Sequence, residues 1–329
     1  MKQMCFVVVI FMLAIMNARE GEMPMRPERE LLPGGILVER HGIVRSLGLV
    51  EEDLIALVYG EDEIPGFECK PGPYTAHHTV ICLDVGGERQ GVGLKGIYSS
   101  IRRMWNLHIR NKPRLDIECK IFADEKGARR ELQAMLSPIT SSGFINFREG
   151  SYSGLPLGDI CWRNPIGNSI FFTIGRVYVL VQVFGPSEAN GFFAEALSWG
   201  IEYCILQHPK KLGMAKKPMT VLAGNQPVAQ GKAVTLAGVT VAPISSLSSA
   251  KVSLKTERDK KEWAVTASLN GRRVKVKAFS WEMETEKGKV KLERPVFPYG
   301  GELIVPLRQV AEALGIRVQQ KGETIALLP

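Results

Sequence analysis

The sequence predicts an α+β protein: an N-terminal antiparallel sheet with helices, followed by a smaller α+β domain of two pseudo-repeats. Three observations predict it. Residues 169–174 and 177–184 are dense in β-branched and aromatic residues around Gly175-Arg176, which is a hairpin signal. Residues 124–136 and 192–207 flank that hairpin with apolar residues at helical spacing. After residue 219, a pattern of strand, proline, short helix and strand occurs twice.

The chain opens with Met1-Lys2-Gln3-Met4 and then twelve apolar residues from Cys5 to Met16, closed by Asn17-Ala18-Arg19. A basic start, a short apolar run and a small residue match a secretory signal peptide over residues 1–18. A spanning helix needs ~20 apolar residues, so the run is short for a permanent anchor. A retained signal-anchor and a buried strand are the other readings of the same run. Cys5 precedes the apolar core, so it is not a lipoprotein cysteine. The expectation is an exported, extracellular or cell-surface protein. Cleavage leaves Cys69, Cys82, Cys119, Cys161 and Cys204, an odd number. Cys69 and Cys82 flank a Pro/Gly turn and are the first candidates for a disulfide. Cys161 with Cys204 is a weaker pair, and five reduced thiols are the alternative.

Residues 19–40 mix Pro, Arg, Glu and Gly and read as a solvated leader. A domain of unassigned family follows over 41–209. Residues 43–58 hold a short helix or strand, 59–72 are rich in Pro-Gly turns, and Thr79–Val85 reads as a strand. In the first helix, Ala128, Leu132, Met135 and Leu136 share a face, Asp124 is the N-cap and Pro138 is the expected stop. In the second, Phe193, Leu197, Gly200, Ile201 and Cys204 share a face and His208-Pro209 ends it. Helix, hairpin, helix predicts an antiparallel sheet with the helices on one face.

Residues 210–218 form a basic, Pro-bracketed linker, and the last domain spans 219–329. Its second unit reads Gly301 to Val318. Pro306 stands at the first helical turn, where its missing N–H costs nothing. Leu307, Val310, Ala311 and Leu314 make an apolar stripe, and Gly315 is placed to end the helix in a left-handed conformation. The first unit, Gly238 to Leu254, follows the same order around Pro243 but is more degenerate.

The stretch Leu303–Leu327, LIVPLRQVAEALGIRVQQKGETIAL, with the upstream strands of 263–277 and 289–308, resembles the copper amine oxidase N-terminal-like (stalk) domain. The resemblance covers residues 219–329 and nothing in 19–209. In the first unit, Ser245-Ser246 stand where the family usually has an Arg. The resemblance implies an appended, non-catalytic module of exported proteins, mainly of Gram-positive bacteria. The oxidase's own stalk carries neither copper nor quinone. The chain also lacks the Asn-Tyr and His-x-His patterns that the oxidase chemistry would need.

Charge is uneven. Residues 210–329 hold 21 Lys+Arg against 10 Asp+Glu, whereas the whole chain holds 42 against 34. A basic module favours polyanions. Export argues against nucleic acid and for an anionic cell-wall polymer or a membrane surface. Strand alternation in 272–277 puts Arg273, Lys275 and Lys277 on one face, and with Arg272 these are the candidate anionic-polymer contacts. A solvated strand face is the plainer reading of the same residues.

Other constellations carry less. His77-His78 point to opposite faces on a strand. The glycines of 86–96 lack the Gly-Lys-Ser/Thr ending of a phosphate loop. Cys119 with His108 can be written as nucleophile and base, and Glu149, Asp159 and Glu195 are carboxylates without a readable spacing. The sequence therefore predicts no catalytic residue, no metal and no cofactor. The expected function is an exported, non-catalytic envelope protein whose stalk-like domain sits at the wall or membrane surface while the N-terminal domain binds another ligand. The alternative is a secreted hydrolase of wall material with the stalk-like domain as its targeting module.

Overall fold

The computed structural model describes residues 28–32, 36–40, 57, 59, 63–65, 67–69, 79–82, 99–107, 114–122, 124–141, 155–164, 168–184, 189–208, 212, 219–224, 226–229 and 231–328. The signal-peptide run, His77-His78, His108, Glu149 and the glycines of 86–96 lie outside them.

The first sheet holds β1 (Glu28–Leu32), β2 (Ile36–Arg40), β3 (Phe67–Cys69), β4 (Thr79–Cys82), β5 (Ser99–Leu107), β6 (Arg114–Ile121), then α1 (Glu125–Ser141), β7 (Ile160–Arg163), β8 (Ser169–Ile174) and β9 (Val177–Phe184), before α2 (Ala189–Leu206). Its order is β1-β2-β4-β5-β6-β9-β8-β7, with β3 pairing β5. All pairings are antiparallel except β2 with β4. Strands β1 and β2 form a hairpin inside the stretch expected to be a solvated leader. Cys69 and Cys82 end β3 and β4, and their side chains lie outside the described residues.

The predicted β8–β9 hairpin is present. Ile174 pairs with Val177, and Gly175 takes φ +53 at the first turn position, where a side chain would be strained. Asp124 caps α1 as expected, accepting the Gly127 N–H at 2.8 Å. The helix does not stop at Pro138. Proline removes its own donor and crowds the preceding turn, but its φ is helical, so the chain winds on to Ser141.

The two helices cover opposite faces of the sheet, not one face. Strand β9 shows why. Tyr178 and Leu180 pack with Ala128, Leu132 and Leu136 of α1. Val177, Val179, Val181 and Val183 pack on the other side with Leu197, Ile201 and Ile205 of α2. A strand apolar on both faces needs a cover on each.

The second part holds β10 (Thr220–Ala223), β11 (Gln226–Pro227), β12 (Val234–Leu236), β13 (Val239–Pro243), a 3-10 helix (Ile244–Ala250), β14 (Ser253–Arg258), β15 (Trp263–Leu269), β16 (Arg272–Lys277), β17 (Glu282–Thr285), β18 (Gly288–Lys291), β19 (Phe297–Tyr299), β20 (Glu302–Pro306), α3 (Leu307–Ala313), β21 (Arg317–Lys321) and β22 (Thr324–Leu328). These form three sheets: β11-β10-β22-β21, β12-β13-β20-β19 and the meander β14 to β18. The two strands that end in proline, β13 and β20, pair antiparallel with Ala242 opposite Val305.

Helix α3 ends as its sequence implies. The Gly315 N–H donates to the Glu312 carbonyl and the Ile316 N–H to the Ala311 carbonyl, both at 2.9 Å, with Gly315 at φ +84. That pair of bonds is a Schellman motif. Leu307, Val310, Ala311 and Leu314 all face the core.

Helix α2 joins the two parts. Every residue from Ala196 to Leu206 is buried, not the single stripe that its sequence suggested. One side meets β8 and β9, and the other meets β12 and β19. A helix buried all round belongs to the middle of a core. Val234, Leu236, Val241, Phe297 and Ile304 of the second part therefore share one apolar cluster with the first sheet.

Gly200 marks the tightest point of this junction. A Cβ there would stand 1.6 Å from the Tyr59 hydroxyl and 3.2 Å from the Phe297 Cβ. The Tyr59 hydroxyl donates to the Leu197 carbonyl at 3.2 Å, which holds the ring across the glycine. Gly200→Ala is expected to destabilise the protein by roughly 1–3 kcal/mol through overpacking. That outweighs the ~1 kcal/mol by which alanine is the better helix former. A denaturant melt checks it, and a stabilised variant would contradict the packing.

Candidate functional site

The candidate basic residues lie on and beside the meander. Asn270 and Gly271, both at positive φ, close the β15–β16 hairpin as an Asn-Gly turn. That fixes a register in which Thr266 opposes Lys275 and Val265 opposes Val276. Val274 and Val276 point into the core, and Arg273, Lys275 and Lys277 share the outer face, as strand alternation requires.

The outer face is a ladder of paired charges, not a bare basic patch. Lys275 Nζ meets Glu257 at 3.2 Å and Glu262 at 3.7 Å, while Lys277 Nζ meets Glu262 at 3.4 Å and Glu284 at 3.8 Å. Lys255 also binds Glu257, at 3.1 Å, and Lys289 binds Glu282 at 3.2 Å. Hydrogen bonds from Lys255 and Lys275 hold the Glu257 carboxyl below its ordinary range, and the bond to Glu257 raises Lys275. Asp259 accepts the N–H groups of Lys261 and Glu262 and so fixes the β14–β15 loop that carries Glu262.

Arg272 is turned the other way. Its guanidinium lies over Gly315, where a Cβ would come within 2.5 Å of Nη1, so it packs the end of α3. Arg273 is exposed on the ladder face with no ion pair among the described residues. By register Lys291 joins this face opposite Glu282. Six cations (255, 273, 275, 277, 289, 291) stand there against four carboxylates (257, 262, 282, 284), so a positive surplus remains.

A second polar cluster lines the junction along α2. Glu195 pairs with Arg163 of β7 at 3.4 Å. Glu202, buried about two turns further on, accepts the Gly158 N–H at 3.2 Å. The Arg294 guanidinium lies 4.4 Å over the Trp199 ring and donates to the carbonyls of Leu236 and Ala237 at 3.2 and 2.8 Å. Burial raises the Glu195 carboxyl. Arg163 opposes that shift, as does the Trp199 indole N–H, which lies near without forming a hydrogen bond. Further along, the Trp281 indole donates to the Phe192 carbonyl at 3.1 Å, and Phe279 stacks edge-on against both Tyr59 and Phe193.

The other sequence candidates do not assemble. Cys119, Cys161 and Cys204 are buried and not disulfide-bonded, so the weaker Cys161–Cys204 pair is not a disulfide. Burial pushes the Cys119 and Cys204 thiols well above the ordinary range, which keeps them protonated and removes Cys119 as a nucleophile. Asp159 accepts the Gly175 N–H at 2.6 Å and braces the β8–β9 turn. Trp199 and Arg294 were not singled out from the sequence. The available signal was the apolar residues on every side of 196–206, interrupted only by Ser198, Gly200 and Glu202, which mark a helix covered all round.

Residues 221–328 match the family model of the copper amine oxidase N-terminal domain. The C-terminal third of the chain is a copper amine oxidase N-terminal-like domain. No curated protein and no solved structure matches the chain. The stalk-like domain begins at β10 and closes with β22, and these two strands pair in parallel, Val221 opposite Ile325. Its two ends are thus neighbours in one sheet.

Glu195 gives a signed pH dependence. Its carboxyl binds a proton more tightly folded than unfolded. The associated stability is full below the unfolded value of ~4.3 and is lost as pH rises through the raised folded value. Glu195→Gln should therefore show a flatter stability–pH curve just above pH ~4.3 than the parent. Urea midpoints across that window check it, and parallel curves would contradict a raised carboxyl.

Proposed function

We propose that the chain is an exported, non-catalytic envelope protein. Its stalk-like domain contacts an anionic surface, wall polymer or membrane, and its N-terminal part binds a separate ligand. The two proline-led units are read as pseudo-repeats that build a compact spacer. The surplus of cations on the meander face carries the reading. Four carboxylates tie Lys255, Lys275, Lys277 and Lys289 into fixed positions and leave Arg273 as the charge without an ion pair on that face, with Lys291, which also acts on Glu195, at its edge. Such a surface attracts polyanions and releases them in salt.

The contact residues are therefore Arg273 first, with Lys275 and Lys277 masked by Glu257 and Glu262, and Arg272 retained by α3. The masking gives a test with opposite signs. Full-length protein is sedimented with isolated cell walls and with anionic vesicles across a salt series. Arg273→Gln should weaken the bound fraction at low salt. Glu257→Gln with Glu262→Gln should strengthen it by unmasking two lysines. Binding that ignores both changes, or no binding to either surface at low salt, would overturn the proposal.

A further inference from the structure

A cavity of about 280 Å³ opens in the stalk-like domain, away from the meander face, between the start of the 3-10 helix, the loop before β12 and the start of β20. Its polar lining is Gln226, Lys232, Ser245, Ser246, Ser249 and Glu302. We propose that this cavity binds a small zwitterion that carries an ammonium and a carboxylate, of the α-amino acid type.

The lining selects that class. Lys232 and Glu302 bring one positive and one negative charge to the same cavity, and neither has an ion-pair partner among the described residues. Glu302 is oriented in advance. Its Oε2 accepts the Ser245 hydroxyl at 2.7 Å, and its other oxygen is left for a ligand ammonium. Serine hydroxyls beside Lys232 supply donors for a ligand carboxylate. Ser246 is buried, and its hydroxyl finds no hydrogen-bond partner among the described residues. A buried unmet hydroxyl is unfavourable unless something meets it. No aromatic ring lines the cavity among the described residues, so a sugar ring would find no stacking platform.

Sequence and fold explain why the space exists. After Pro306-Leu307 the second unit carries Arg308, whereas after Pro243-Ile244 the first unit carries Ser245-Ser246. Short side chains leave open what a long one would fill. The far wall is held from the N-terminal part, because the Tyr203 hydroxyl of α2 donates to the Lys232 carbonyl at 2.7 Å. The site therefore belongs to the whole chain.

The test is isothermal titration of the full chain with alanine, alanylalanine, N-acetylalanine, alaninamide and glucose. Alanine or alanylalanine should bind, and which of the two does distinguishes a free amino acid from a peptide. N-acetylalanine lacks the ammonium and alaninamide lacks the carboxylate, so each should bind at least roughly tenfold more weakly. Lys232→Met and Glu302→Gln should each cost a similar factor, and Ser246→Ala less, with melting temperatures recorded to show that each variant folds. The proposal fails if neither zwitterion binds at about 10 mM. It fails equally if the blocked analogues bind as well as alanine, if glucose binds in alanine's place, or if folded Lys232→Met and Glu302→Gln proteins bind undiminished.

Discussion

The protein depends on one helix having no free side. Helix α2 presents Leu197, Ile201 and Ile205 to the first sheet and Gly200 and Tyr203 to the stalk-like domain. Each large apolar side chain taken out of water there contributes roughly 1.5–3 kcal/mol. Trp199, Tyr203 and Phe297 are among the largest buried side chains, and all three sit at this junction. Because the same helix completes two cores, neither part is finished without the other. A stalk on a loose linker would leave the face of β12-β13-β20-β19 in water.

The polar contacts of the junction follow from that burial. Arg294 lies half-buried over Trp199, and two of its donors go to the carbonyls at the β12–β13 turn. Glu202 takes a backbone N–H from Gly158, and Glu195 takes Arg163. Each contact spans elements that are far apart in sequence, so the polar groups help fix the angle of docking as well as satisfying one another. The meander is built on the opposite principle. Its charges remain in water, where a single ion pair contributes at most ~1 kcal/mol. What the ladder sets is the position of charge, and therefore which cations are left to meet a polyanion.

Much of the local structure was legible. The β8–β9 hairpin, the Asp124 cap and the Gly315 helix end are each written in two or three adjacent residues, and each formed as read. The stalk-like domain was legible because Pro306, its helix stripe and Gly315 stand at fixed spacing. Strands β5 and β6 were passed over, although Leu115, Ile117, Cys119 and Ile121 alternate inward along β6. The charged residues between them disguised a strand whose other face lies under α1, where Lys120 pairs with Glu131 of that helix. The apolar run Val177–Val181 of β9 already required covers on both faces. The junction was not legible. Trp281 to Phe192 and Tyr59 to Leu197 join positions 89 and 138 residues apart, and no local pattern encodes such pairings. Nor does the sequence of 272–277 reveal that three of its four cations are already engaged, since the partners Glu257, Glu262, Glu284 and Gly315 come from other strands, a loop and a helix end.

The shared core is tested most directly by native-state hydrogen exchange on the full chain, read separately for β12-β13-β20-β19 and for β8-β9. A core completed by α2 predicts that the amides of both sheets exchange through one common opening, with the same free energy and the same response to denaturant. Protection in the stalk-like domain that persists after β8, β9 and α2 have opened would contradict it, and would make the two parts independent folds that merely touch.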